Sequence, residues 1–157
     1  MADTFLLLVC RCFGICKKHF KFGLPGQIYE YWAADGCLHG VVCRWDFEDR
    51  KEILPLSYCE KDGKFAWKFK SFAKPRPIFG IDELIYKPKA NVLVVEGEKT
   101  ALAARILFPK AAVISWPGGW KAYKFVDWTL LGERKVYLWP DADEPGVAAM
   151  RGIAEVL

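Results

Sequence analysis

Three short apolar runs in the second half of the chain, residues 92–95, 112–116 and 136–139, each end abruptly on glycine, proline or an acid. Runs this short without polar alternation suit strands covered on both faces, as in a parallel sheet between helices. After the first run, Leu102 with Ile106 and Ala103 with Leu107 lie one turn apart on a helical face, and Pro109 marks the exit. After the third, Val147, Met150, Ala154 and Leu157 recur at helical spacing, so an amphipathic helix should close the segment against the sheet. Residues 91–157 therefore read as one α/β unit.

Residues 27–73 have a different texture. Two Asp-Gly pairs, Asp35-Gly36 and Asp62-Gly63, sit between aromatic and β-branched runs, a hairpin signal because tight turns need positive φ at both central residues. The spacing pairs residues 28–32 with 40–47 around the first and 53–59 with 64–69 around the second, giving a small antiparallel sheet. Residues 74–90 connect the two units. Lys74-Pro75-Arg76-Pro77 cannot be a central strand, since proline donates no ladder bond, and residues 82–86 suit a short helical turn. Residues 1–26 receive no assignment.

Ligands of open α/β sheets collect beyond the carboxyl ends of the strands. Those ends carry Glu96-Gly97-Glu98-Lys99, Pro117-Gly118-Gly119 and Pro140-Asp141-Ala142-Asp143-Glu144-Pro145-Gly146. In an extended stretch Asp141 and Asp143 point to the same side, and a divalent cation relieves their repulsion. Hard oxygen donors suit magnesium, which takes one or two carboxylates with waters and phosphate oxygens, and Glu96 would complete the acidic cup. A plainer assignment makes Asp141 or Asp143 the cap of the last helix and Glu96 a surface acid. Lys99, at the start of a helix, would meet a phosphate there or stand solvated. Gly118 and Gly119 admit close backbone approach or simply form a turn. Lys74 and Arg76, with Lys68 and Lys70 nearby, would track a nucleic-acid backbone or form a solvated basic face. Trp116 and Trp120 suit a core edge better than base stacking.

Taken in order, strand-Glu-Gly, helix, strand with a Gly-rich turn, then strand-Asp-x-Asp-x-x-Gly opening a helix resembles the Toprim family over residues 91–157, with Gly97 and Gly146 matching as well. More narrowly, Val94-Val95-Glu96-Gly97-Glu98-Lys99-Thr100-Ala101 and Trp139-Pro140-Asp141-Ala142-Asp143-Glu144-Pro145-Gly146 are similar to the Toprim region of primase and primase-helicase proteins from phages, plasmids and integrated elements. Tyr29-x-Tyr31, Asp35-Gly36, Cys43-Arg44-Trp45, Leu54-Pro55, Trp67 and Lys74-Pro75-Arg76-Pro77 carry the likeness back to about residue 28.

The resemblance implies an α/β fold, a Toprim-like parallel sheet flanked by helices, preceded by a small antiparallel β-rich segment. It implies magnesium, with manganese as an alternative, held by Glu96, Asp141 and Asp143, Glu96 serving as ligand or as general acid/base. The implied activity is nucleotidyl transfer in primer synthesis for DNA replication. Single-stranded DNA template and nucleotides would be the partners, with a helicase domain or another replication protein beside them. A later strand of a Toprim sheet is missing, so a fragment that is inactive alone is one expectation. Alternatives within the resemblance are a Toprim nuclease and an inactive nucleic-acid-binding remnant; a topoisomerase would need a catalytic tyrosine elsewhere.

Other classes find less support. Gly97-Glu98-Lys99-Thr100 imitates the tail of a P-loop without its upstream glycine, and no Gly-x-Gly-x-x-Gly turn follows the first strand. A formal net charge of +4 permits a polyanionic partner without requiring one. Hydrophobic content of 53% argues for a packed core. The apolar opening, residues 5–10, is too short to span a membrane and lacks a basic lead. With no secretory context, the six cysteines are expected as reduced thiols in a cytoplasmic protein. Zinc at Cys10, Cys12, Cys16 and His19 is not expected, because Cys10 and Cys12 are too close for a zinc knuckle.

Overall fold

In the computed structural model, which describes residues 18–157, the first four strands form one antiparallel sheet in sequence order: β1 (Gln27–Trp32), β2 (Leu38–Asp46), β3 (Lys51–Lys61) and β4 (Lys64–Phe69). The expectations for Cys10, Cys12, Cys16 and the apolar opening fall outside the described residues. Among those described, Cys37 and Cys59 are free thiols, and no helix is long and apolar enough to cross a membrane.

The two Asp-Gly pairs behave differently. Asp62 and Gly63 both take positive φ, 53° and 71°, so Lys61 pairs directly with Lys64 across a two-residue turn. At the first pair only Gly36 is left-handed, with φ of 80°. The connection there is longer, closed by Gly36 N–H to Ala33 O and Ala33 N–H to Cys37 O, while the Asp35 carboxylate accepts from Cys37 N–H. The register shifts beside it, between Tyr31 and Trp32. A side chain that satisfies a backbone donor two residues on favours this wider loop over the tight turn expected from the dipeptide alone.

The connector leads through residue 80 into α1 (Ile81–Tyr86). Along it, Phe79 exchanges backbone hydrogen bonds with Ser115, and Arg76 N–H donates to Phe125 O. Then come β5 (Val92–Val95), α2 (Glu98–Leu107), β6 (Ala112–Ile114), 3-10 turns at Trp120–Phe125 and Trp128–Leu131, β7 (Val136–Trp139) and α3 (Glu144–Ala154). The second sheet is parallel, ordered β6-β5-β7. Strand β6 stops two residues short of the expected 112–116, since Ser115 turns to bond Phe79.

Alternation along β5 divides the interior. Val92 and Val94 pack with Ile114, Trp116, Trp128, Leu131, Met150 and Ile153. Leu93 and Val95 face the other way, into a cluster with Tyr29, Tyr31 and Val42 of the antiparallel sheet, Phe72, Phe79, and Ala101 and Ala104 of α2. That shared core joins the two sheets. A third cluster lies on the far face of the antiparallel sheet, around Val41, Cys43, Trp45 and Leu56.

Helix α2 turns a different face inward from the one its larger apolar residues suggest, and α3 does so in part, keeping Met150 inside as expected. Helix α2 buries Glu98, Ala101 and Ala104 and leaves Ile106 and Leu107 in solvent. Helix α3 buries Gly146, Ala149, Met150, Gly152 and Ile153, whereas Val147, Ala154 and Leu157 are exposed. Small residues win because they bring helix and neighbour into close approach: a Cβ added at Gly152 would collide with the Tyr123 ring.

Candidate active site

Strand β5 ends in a buried run and delivers Glu96 to its carboxyl end, where Gly97, with φ of 72°, turns the chain into α2. Strand β7, its parallel neighbour, delivers Asp141 and Asp143 to the same edge. The Glu96 carboxylate is half-buried, and its Oε1 is enclosed without a hydrogen-bond partner. Burial, then the charge of Asp141 and more weakly that of Asp143, raise its pKa above the ordinary glutamate value, against an opposing pull from the Asp141 backbone amide. The structure thus brings all three acids into electrostatic reach.

Their roles in the fold differ. Asp143 is the N-cap of α3, its Oδ1 accepting from Gly146 N–H at 2.7 Å. It faces a separate hollow with Val147 and Arg151. Glu96 and Asp141 instead line a cleft of about 580 Å³ together with Lys99, Thr100, Gly118, Gly119 and Trp116. Gly146 permits this approach, since a Cβ there would stand 2.5 Å from Glu96 Oε1 and 2.9 Å from Asp141 O.

Among the described residues no three His, Cys, Asp or Glu side chains already stand as a closed ligand set. The donors at the cleft nevertheless fit a hard divalent ion. They are carboxylate oxygens only, one is buried without a partner, and magnesium commonly draws just one or two carboxylates from a protein.

The remaining residues singled out from the sequence separate into two groups. Lys99, Gly118 and Gly119 border the cleft. Lys74 and Arg76 lie behind the glycine turn: Lys74 Nζ sits 3.6 Å from the Phe125 ring centroid, and Arg76 stacks on the same ring while donating to Pro117 O at 3.2 Å. The Arg76 guanidinium also fills the space a Cβ on Gly118 would need, so it braces the turn from beneath. Trp116 is buried, donates to Gly119 O at 3.0 Å and meets Trp128 edge-on, which makes it core.

The opposite wall of the cleft comes from the antiparallel sheet, as Arg44 of β2 and Lys51 and Ile53 of β3. Arg44 is held by Asp46 through Nε at 2.9 Å and Nη2 at 2.7 Å. Glu98 also lies at the cleft, buried at the first position of α2, and accepts from the Tyr31 hydroxyl at 2.5 Å. Sequence reasoning assigned none of these a role. Tyr31, Arg44 and Glu98 stood within recognised motifs, but nothing in a single sequence shows that two sheets fold over one another.

Acids on parallel-strand ends and cations on the antiparallel sheet thus border one cleft in a mixed α/β fold. The chain belongs to the family described as "Domain of unknown function (DUF6371)", which matches residues 32–142. It is similar in fold to the E. coli primase catalytic core, at 18% identity and a TM-score of 0.54, covering 82% of this chain and 38% of that one. A second solved structure, the DnaG catalytic core, matches at 15% identity and a TM-score of 0.53, over 93% of this chain and 46% of that one. The chain therefore spans less than half the length of the primase cores it resembles. No curated protein matches it.

Proposed function

We propose that the chain is a primase-type Toprim protein, using a divalent ion at Glu96, Asp141 and Asp143 for nucleotidyl transfer on a single-stranded DNA template. The observation carrying this reading is the buried, unpartnered Glu96 Oε1 set against Asp141 at the carboxyl end of a parallel sheet. Burying a polar oxygen without a partner is costly unless a proton or cation meets it. Bound magnesium would supply charge neutralisation for phosphate oxygens, on which phosphoryl transfer mainly depends.

The chain's own residues have distinct tasks in this proposal. Glu96 and Asp141 present oxygens into the cleft, and Glu96 serves either as a ligand of the ion or as the group that takes the proton a reacting hydroxyl gives up. Asp143 commits one oxygen to the helix cap, which fixes the carboxylate's orientation and leaves the other to contribute from the side. Lys99, Arg44 and Lys51 hold phosphate charge, and the backbone at Gly118 and Gly119 lets a ligand approach closely. Template, nucleotides and a helicase or other replication partner belong to the same proposal, as does a cytoplasmic setting.

Incubation with magnesium, single-stranded template and labelled nucleotides should give short primers that disappear in Asp141→Asn. Template cleavage without synthesis would move the reading to a nuclease using the same acids. Magnesium-independent template binding, unchanged in Asp141→Asn and without either activity, would leave a nucleic-acid-binding remnant.

A further inference from the structure

The two walls of the cleft belong to different sheets, so its width depends on what joins them. The shared apolar core holds them together through contacts that carry no direction of their own. A directional link crosses the same boundary: the Tyr31 hydroxyl on β1 donates to Glu98 Oε1 at the start of α2, between residues 67 apart in sequence. Tyr31 is fully buried and Glu98 only 7% exposed.

Both ends of this bond sit close to the walls of the cleft. Glu98 lies two residues after Glu96 and one before Lys99, at the first turn of α2, where the positive helix end favours its carboxylate. Tyr31 lies on β1, which pairs along its length with β2, the strand carrying Arg44. Charges reinforce the link, for Arg44 acts on Glu98 and Lys99 acts on Asp46. A buried carboxylate is a poor way to gain stability, since an apolar side chain of similar volume would pack there at lower cost.

We propose that the Tyr31–Glu98 hydrogen bond is a positioning device that holds Arg44 and Lys51 at the separation from Glu96 and Asp141 needed for both walls to engage one phosphate group. This rests on the reading of the cleft as a phosphate site. Tyr31 is not part of the cleft lining and the Glu98 carboxylate accepts its hydroxyl, so both act through the residues they place.

The test is a double-mutant cycle on the full chain, with affinity for a single-stranded oligodeoxynucleotide in the presence of Mn2+ read by fluorescence anisotropy and folding checked by thermal melts. Tyr31→Phe should weaken binding roughly fivefold to tenfold. In an Arg44→Ala/Lys51→Ala background it should cost almost nothing more, because Tyr31 works by placing those two side chains. Glu98→Gln, which keeps an acceptor, should stay within about twofold of the parent. Glu98→Met fills the space without an acceptor and is read in the same cycle, in case Tyr31→Phe fails to fold. Equal binding by parent and Tyr31→Phe, or the same loss with and without Arg44 and Lys51, overturns the positioning role alone. Absence of Mn2+-dependent binding in the parent overturns the phosphate-site reading and the positioning role with it.

Discussion

Glu96→Gln is expected to lose metal-dependent turnover by between about 10²- and 10⁴-fold, while in the presence of a chelator it melts above the parent at mildly alkaline pH. The first effect follows from losing the negative charge and one of the two carboxylate oxygens that Glu96 sets against Asp141 at the strand ends. The second follows from linkage. Burial and the neighbouring aspartates raise the folded-state pKa of Glu96. Stability from this group is therefore fully present below the ordinary glutamate pKa and is lost as pH rises through the raised value. Glutamine mimics the protonated side chain at every pH, so the two proteins should converge near about pH 4 and separate by about pH 8. Thermal melts at the two pH values check it; a variant that melts below the parent at the higher pH would show that ionised Glu96 stabilises the apo fold.

The second large effect is expected at Gly146→Ala. By helix propensity alone, alanine in α3 should gain about 1 kcal/mol. Sterics oppose this, since the new Cβ would lie 2.5 Å from Glu96 Oε1, 2.9 Å from Asp141 O and 3.0 Å from Asp141 N. A side-chain end can move aside, but the Asp141 backbone is tied to the end of β7 and cannot do so cheaply. Overpacking of this kind costs about 1–3 kcal/mol, so a net loss of stability is expected, along with weaker metal binding as Glu96 is pushed from Asp141. Urea denaturation measures the first and Mn2+ titration the second. A variant at least as stable as the parent with unchanged affinity would mean that helix and acids are not in contact.

What the sequence disclosed was set by distance along the chain. The strands β5 and β7 were legible because Val92 to Val95 and Val136 to Trp139 are short, continuous apolar runs that stop at Glu96 and at Pro140. The turn at Asp62-Gly63 was legible because its geometry depends on those two residues alone. The Asp35-Gly36 connection was not, because the Asp35 side chain bonds the next available backbone donor and widens the loop.

Helix orientation was partly hidden for a related reason: Leu102, Ile106 and Val147 look like core residues, yet close packing selects Ala101 and Ala104 in α2 and Gly152 against Tyr123 in α3, which periodicity of bulk cannot register. At the site, the strand ends pointed to Glu96 and Asp141, which line one cleft, whereas Asp143 faces another hollow and takes the helix-cap role that the sequence left open to Asp141 or Asp143. Arg44, Lys51 and the Tyr31–Glu98 bond depend on one sheet folding over another, a relation carried by no local pattern.

The central claim is that Glu96 and Asp141 share an ion at the edge of the parallel sheet. Titration of the chain with Mn2+, following the free-ion electron paramagnetic resonance signal, tests it without assuming any reaction. The account predicts saturable binding by the parent that weakens at least about tenfold in Glu96→Gln and in Asp141→Asn. Equal affinity in all three proteins, or a parent that takes up no ion saturably, would contradict it.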